Sequence, residues 1–285
     1  MKLPLRITAL AITSCLLAAC VTTPPPEPRG TPIPQSPWAG GFVFQYQTPR
    51  ISDTPFPVNI AVVNPNYREE ESAFLAPVYA RVGRGLSASM GADFEKLLVA
   101  KGMTATGPFP ALDEITYSEK RGASLVFAPR LFITTKLEYK PNWQPVKDGF
   151  SRLPSGVRVD VRGERHFEMT VTGWISFIMQ EPLSGEKMWI RRLEIEPIVV
   201  RGLDAYVAVP ETRTEVGFWG GVTEIPTGSY LITNEMFHDG RADALATALA
   251  QVYPVVMERF WRLVEPEEML VLQRQGEEIR ALKVY

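Results

Sequence analysis

Cysteine and histidine are almost missing from this chain, which holds only two of each in 285 residues. His166 and His238 lie far apart, and Cys15 and Cys20 both precede the main body of the sequence, so a transition-metal site has few ligands to draw on. Neither histidine sits in a nucleophile-and-base pattern. Ser184, in Leu-Ser-Gly-Glu, is not framed by Gly-x-Ser-x-Gly and reads better as part of a hairpin turn. Gly83-Arg84-Gly85 lacks the Gly-Lys that completes a phosphate loop. A basic excess is also missing. With a formal net charge of −2 and no basic stripe, the chain is a poor nucleic-acid binder. Its longest apolar run, Ile7 to Ala19, falls short of the roughly 20 residues that cross a bilayer. The sequence therefore argues against an enzyme, a metal centre, a bound cofactor and a membrane-spanning helix.

What the sequence does have is concentrated at its start. Lys2 and Arg6 precede the apolar stretch, and Leu17-Ala18-Ala19-Cys20 closes it. A basic beginning, an apolar middle and small residues at the cut form a secretory signal. A cysteine directly after Leu-Ala-Ala makes it a bacterial lipoprotein signal, spanning residues 1–19, with Cys20 acylated and left as the first mature residue. Several acyl chains anchor a protein stably without any spanning helix. Val21 is not the aspartate that retains many such proteins at the inner membrane, which favours the outer membrane. Residues 20–37 carry Pro24, Pro25, Pro26, Pro28, Pro32, Pro34 and Pro37, and proline's fixed φ makes this stretch an extended, semi-rigid tether.

Residues 38–285 are 45% hydrophobic and 22% charged on the whole-chain average, enough apolar side chain for a core without disulfides. One globular α/β domain is expected. Val58 to Val63 reads as a buried strand stopped by Asn64-Pro65. A helix follows from Pro77 to Lys101, with Leu86, Met90, Phe94, Leu97 and Leu98 on one face and Gly102 as its cap. A short helix over Tyr117 to Gly122 leads to a second strand from Ala123, running on to Leu137. Strand, helix and strand in that order imply a parallel pair. Two alternating runs, Phe167 to Gln180 and Lys187 to Val200, are joined by Glu181-Pro182-Leu183-Ser184-Gly185-Glu186, a hairpin signal. Asp239 can cap a helix that Pro254 should kink, and Pro266 suits the first turn of a last helix ending near Lys283. The predicted fold is α+β: a mixed sheet with a parallel βαβ start and an antiparallel hairpin, covered by helices, with long helices at the C-terminus.

The run Val171 to Glu186, with its Glu-Pro-x-Ser-Gly-Glu turn, resembles the sheet hairpin of the neuraminyllactose-binding hemagglutinin family of lipoproteins. The opening strand, the helix ending Leu97-Leu98-Val99-Ala100-Lys101-Gly102 and the late helix with Ala248-Leu249 and Val255-Val256-Met257-Glu258 fall in the same order. The resemblance covers roughly residues 58 to 283. It implies an outer-membrane lipoprotein that acts as a sialyl-glycan-binding adhesin and in some members accompanies the flagellar sheath. It also implies a short lysine-rich glycan motif after the second strand. The matching region, Tyr139 to Lys147, departs from the pattern by lacking that lysine cluster.

Read from the residues themselves, this region offers a different set of contacts. Tyr139, Lys140, Trp143, Arg158, Arg162 and Arg165 combine aromatic faces with cationic groups, and a guanidinium fork suits a glycan carboxylate. The alternative is a solvated connector whose arginines pair with Asp160, Glu164 and Glu168. Phe218-Trp219, in a glycine-rich stretch, is either a partner contact or a satellite core. Two classes of function follow: an adhesin-like binding lipoprotein, or a periplasm-facing envelope or flagellar assembly factor that docks a protein. Residues 58 to 136 also resemble the amino-terminal modules of periplasmic translocation and secretion lipoproteins, which fits the second class.

Overall fold

The computed structural model describes residues 38, 41–50, 52–69, 76–140, 144–146, 151–152, 158–159, 161–216, 222–232 and 240–283, with backbone alone at 69, 76–79, 144–146, 151–152, 158–159, 161–165, 205–216 and 222–232. Cys20, the tether, Trp143, Phe218, Trp219 and the expected cap Asp239 lie outside the described residues.

Prolines decide where the first strands break. The opening strand β1 (Asn59–Val63) ends at Asn64-Pro65, and the chain resumes as β2 (Asn66–Glu69). The run expected to continue from Ala123 to Leu137 is likewise split, into β4 (Leu125–Phe127) and β5 (Arg130–Tyr139). Pro129 has no N–H to give the ladder, so pairing lapses there. The two breaks lie side by side: β1 pairs parallel with β4, β2 pairs parallel with β5, and the Asn66 N–H donates to the Pro129 carbonyl at 3.0 Å.

Between these strands, helix α1 (Ala76–Ala100) buries Val82, Leu86, Met90, Phe94, Leu97 and Leu98. It ends in a Schellman motif in which the Gly102 N–H reaches the Val99 carbonyl and the Met103 N–H reaches that of Leu98. Gly102 has φ +88, a left-handed conformation that glycine adopts at no steric cost. The strand that follows, β3 (Thr104–Phe109), pairs parallel with β1 and forms the edge beside it. Helix α2 (Tyr117–Gly122) occupies the expected residues and opens with a capping box between Thr116 and Glu119.

The two alternating runs are longer than their sequence pattern suggested. They form β9 (Val161–Gln180) and β10 (Lys187–Val216), and β10 pairs onward with β11 (Val222–Ile232). Short β6 (Gln144–Val146) pairs with β9, while β7 (Ser151–Arg152) and β8 (Arg158–Val159) pair with each other in a separate ribbon. Among the described residues the main sheet has nine strands in the order β11-β10-β9-β4-β1-β3, with β5 and β6 also on β9 and β2 on β5.

One face of this sheet is covered by α1 together with α3 (Gly240–Leu263) and α4 (Pro266–Leu282). The shared core centres on Phe94, Phe127, Phe177 and Phe260, whose ring centroids lie between 4.6 and 6.4 Å apart. Helix α3 runs through Pro254 as one element, with Pro254 itself on the exposed side. Pro266 begins α4 as the sequence led us to expect.

Before β1 the chain lies as an extended strap over α1 and α3. The Phe44 N–H donates to Ser89 Oγ at 3.1 Å, and the Tyr46 N–H to Asp93 Oδ2 at 3.0 Å. Phe44 stacks on Tyr253 at 5.6 Å, and the Tyr46 hydroxyl donates to Glu258 at 3.1 Å. Residues 44–46 therefore lie on the helical side of the sheet.

Candidate functional site

The hydrogen-bonded register separates the residues expected to bind a ligand. Tyr139 pairs with Phe167 in the ladder and meets its ring edge-on, on the helical side of the sheet. Its hydroxyl donates to Asp204 Oδ2 at 3.0 Å, and Arg241 Nε lies 3.6 Å from the same oxygen. Asp204 and Arg241 are both buried. This network locks β5, β10 and the start of α3 together, so Tyr139 is a structural residue here.

Lys140 is exposed instead, and its ammonium lies 3.3 Å from Glu168, which also accepts from Arg201 at 3.0 Å. Lys140 and then Arg201 hold the Glu168 carboxyl below its ordinary range. Glu168 thus has Lys140 and Arg201 as partners, while the side chains of Arg158, Arg162 and Arg165 lie outside the described residues. Arg162 and Arg165 lie on β9, opposite Val207 and Asp204, and Arg158 lies on β8, opposite Arg152. Among the described side chains, Tyr139 and Lys140 thus point to opposite faces of the sheet, while the backbones of Arg162 and Arg165 lie on β9 and that of Arg158 on a separate ribbon. β6 and the start of β9 nevertheless lie at the same end of the sheet as the β10–β11 hairpin. That hairpin runs eight residues beyond Ala208, the last partner of β9, a distance of about 26 Å at the usual strand rise.

A different set of side chains comes together on the other face. At one end this face is covered by α2, where Ala61, Val63, Ile115, Ala123 and Val126 form a small second core. Over β2, β5, β9 and β10 no helix packs on it among the described residues. Alternation follows from the core: Leu131, Ile133, Ile175 and Phe177 are buried on the helical side, so Arg130, Phe132, Trp174 and Ser176 point the other way. Cross-strand partners then form two rows, Asn66-Arg130-Ser176-Arg192 and Arg68-Phe132-Trp174-Glu194.

Within the second row Phe132 and Trp174 stack at 5.7 Å, and the Arg192 guanidinium lies 4.4 Å from the Trp174 ring centroid. Arg192 is also bridged to Glu194 at 2.6 Å. Arg68 and Arg130 are exposed and have no ion-pair partner among the described residues. This face therefore presents two uncommitted guanidinium groups beside an aromatic–cation stack. Sequence alone did not single these residues out. The available signal was the even-numbered parity of Thr170, Thr172, Trp174 and Ser176, which leaves a tryptophan on the polar side of an alternating run.

The hairpin turn carries a buried structural carboxylate. Glu181 is fully buried at its first residue, and its Oε2 accepts from the Leu183 and Ser184 N–H groups at 2.9 and 2.5 Å. Its Oε1 accepts from Arg280 Nε at 2.6 Å, while Arg280 also donates to the Ala123 carbonyl at 2.7 Å. Burial pushes the Glu181 carboxyl up, but the hydrogen bonds from Ser184, Arg280 and Leu183 together outweigh it and leave the group below its ordinary range.

No group of histidine, cysteine and carboxylate residues able to hold a metal ion occurs among the described residues, and no described helix is long and apolar enough to cross a membrane. No family model and no curated protein matches the sequence. Among solved structures, the chain is similar to a neuraminyllactose-binding hemagglutinin homolog from Helicobacter pylori, with 14% identity and a TM-score of 0.49 over 81% of this chain and 98% of that one. It is also similar to a lipoprotein from Neisseria meningitidis, with 13% identity and a TM-score of 0.21 over 52% of this chain and 84% of that one.

Proposed function

We propose that this is a bacterial envelope lipoprotein, acylated on Cys20 and held at the outer membrane, that works by binding and not by catalysis. The observation that carries this reading is the placement of the strap. Residues 44–46, which follow the tether in sequence, cross α1 and α3 on the helical side, while the arginine-rich face lies on the opposite side of the sheet; this supports an anchor that approaches from the helical side. Eighteen residues, Cys20 to Pro37, at the roughly 3.1 Å rise of a proline-rich extended chain would reach roughly 50 Å, enough to hold that face clear of the bilayer. In the adhesin-like reading the face meets a sialylated glycan or another host-surface group, in keeping with the sequence resemblance, and flagellar-sheath association belongs to the same reading.

A second reading has its own support. Both faces of the Trp174 ring are occupied, by Phe132 and by Arg192, which leaves no open aromatic platform for a sugar face. That arrangement suits a protein partner in the periplasm and an envelope or flagellar assembly role. Cys20→Ser should release the protein from the membrane fraction, and unchanged fractionation would overturn the lipoprotein proposal. A tag placed after Tyr285 separates the two readings: protease digestion on intact source cells supports the adhesin, and protection until the outer membrane is breached supports the periplasmic factor.

A further inference from the structure

Arg68 and Arg130 occupy neighbouring strands on the helix-free face. Arg68 is the direct partner of Phe132, and Arg130 precedes Phe132 by two residues on the same side. Strand spacing and a two-residue rise put their Cα atoms about 8 Å apart, well within the span over which two long side chains can converge on one group. Ser176 lies beside Arg130, and its short side chain leaves the floor of this region low between Arg130 and Arg192. The third guanidinium, that of Arg192, is already committed to Glu194 and the Trp174 ring. What is uncommitted is a pair of positive charges with two donor forks.

We infer that Arg68 and Arg130 form an anion subsite for a phosphomonoester group. A carboxylate carries one negative charge and is satisfied by one guanidinium held in a bidentate pair. A phosphomonoester carries about −1.5 to −2 at neutral pH and three acceptor oxygens, which matches two guanidinium groups approaching from adjacent strands. The group belongs either to a phosphorylated sugar or to a lipid headgroup; both present the same terminal phosphate. This inference rests on the reading of the helix-free face as the binding surface, and it specifies the charge class that surface selects.

The test uses the full lipidated chain in detergent, with binding followed by intrinsic tryptophan fluorescence, since Trp174 stands in the adjoining row, and by calorimetry. Three soluble probes are compared: glucosamine 6-phosphate, short-chain phosphatidic acid and 3′-sialyllactose. At least one phosphate probe should bind, and should bind roughly tenfold or more tightly than the sialoside, the difference one added charge-assisted hydrogen bond makes. Preference between the two phosphate probes tells whether sugar or lipid is the source. Arg68→Ala and Arg130→Ala should each weaken that binding roughly tenfold, and Arg68→Lys/Arg130→Lys, which keeps charge but loses the forks, should fall between wild type and the double alanine variant. Absence of binding by both phosphate probes, or binding unchanged in the double alanine variant, would overturn the inference. Sialyllactose binding as tight as that of the phosphate probes, and lost in that variant, would overturn it too, while leaving the adhesin-like function standing.

Discussion

Replacing Glu181 with alanine should be among the most damaging single substitutions in this protein. The side chain is fully buried, and removing it strips two turn N–H groups and one guanidinium of their acceptor. Breaking a buried ion pair by deleting one partner costs about 3–5 kcal/mol. Arg280 keeps 24% side-chain exposure and can recover some hydration, and its bond to the Ala123 carbonyl survives, so we expect about 2–4 kcal/mol. For a domain of this size that lowers Tm by roughly 5–12 °C. Urea unfolding of wild type, Glu181→Ala, Arg280→Ala and the double variant, followed by tryptophan fluorescence, closes a cycle that isolates the pair. Acid sharpens the test. Because the folded carboxyl is held below its unfolded range, the stability it contributes is present above that range and is lost as pH falls through the lowered value. Wild type should lose its advantage over Glu181→Ala as the solution is acidified. A Glu181→Ala variant within 0.5 kcal/mol of wild type at neutral pH, about the additivity error of such cycles, would refute the reasoning.

Two further expectations address the helical layer. A methyl group at Gly91 would run into the Asn64 side chain and come within 3.0 Å of Pro108, so Gly91→Ala should cost about 1–3 kcal/mol by overpacking, read as a lower urea midpoint with an unchanged slope. Tyr253→Phe deletes the 2.8 Å bond to Asp93, whose carboxylate keeps the Tyr46 N–H and Lys96, and should cost about 1.5–3 kcal/mol in the same measurement. Burial, and then Asp93, hold the Tyr253 hydroxyl well above the ordinary tyrosine range, so wild type should lose stability as pH rises past that ordinary range, and Tyr253→Phe should lose less.

Where sequence reading succeeded, a local rule and the tertiary structure agreed. The apolar stripe of α1, its glycine stop, the span of α2, the hairpin turn and the proline start of α4 are all set by neighbouring residues, and each falls where expected. The strand β3 escaped notice because Thr-Ala-Thr-Gly-Pro-Phe has little apolar alternation; it is a mostly exposed edge, held by pairing with β1. The far half of β10 was hidden by Pro210 and a run of charged residues, and is defined by β11 instead. Gly83-Arg84-Gly85 was rightly not a phosphate loop, but its purpose was invisible: Gly83 lets the Tyr67 ring approach to 2.5 Å of where a Cβ would stand, and Gly85 makes room for the Phe42 carbonyl of the strap. Tyr139 and Lys140, grouped together from sequence, point to opposite faces because parity, which sends Tyr139 inward and Lys140 outward, cannot be assigned before the register is known.

The same limit explains the buried carboxylates. Asp93 joins the strap to α1 and α3; Asp204 joins β5 to β10 and α3; Glu181 joins the hairpin turn to α4 and to the end of α2. In each case the partners are far apart in sequence, so no spacing rule announces them. Each sits where two layers or two halves of the sheet must be fixed in register, and residues 21–285 contain no cysteine to do this covalently. Apolar side chains of similar volume could supply as much stability as an ion pair at these places. They would not select one register, because an apolar contact tolerates sliding while a carboxylate bound by named donors does not. The strap illustrates what that selectivity provides. Asp93 accepts the Tyr46 N–H only when the strap lies in one register along α1. The course of residues 41–46 over the helices is thus fixed by a buried carboxylate on α1 together with Ser89 and Glu258.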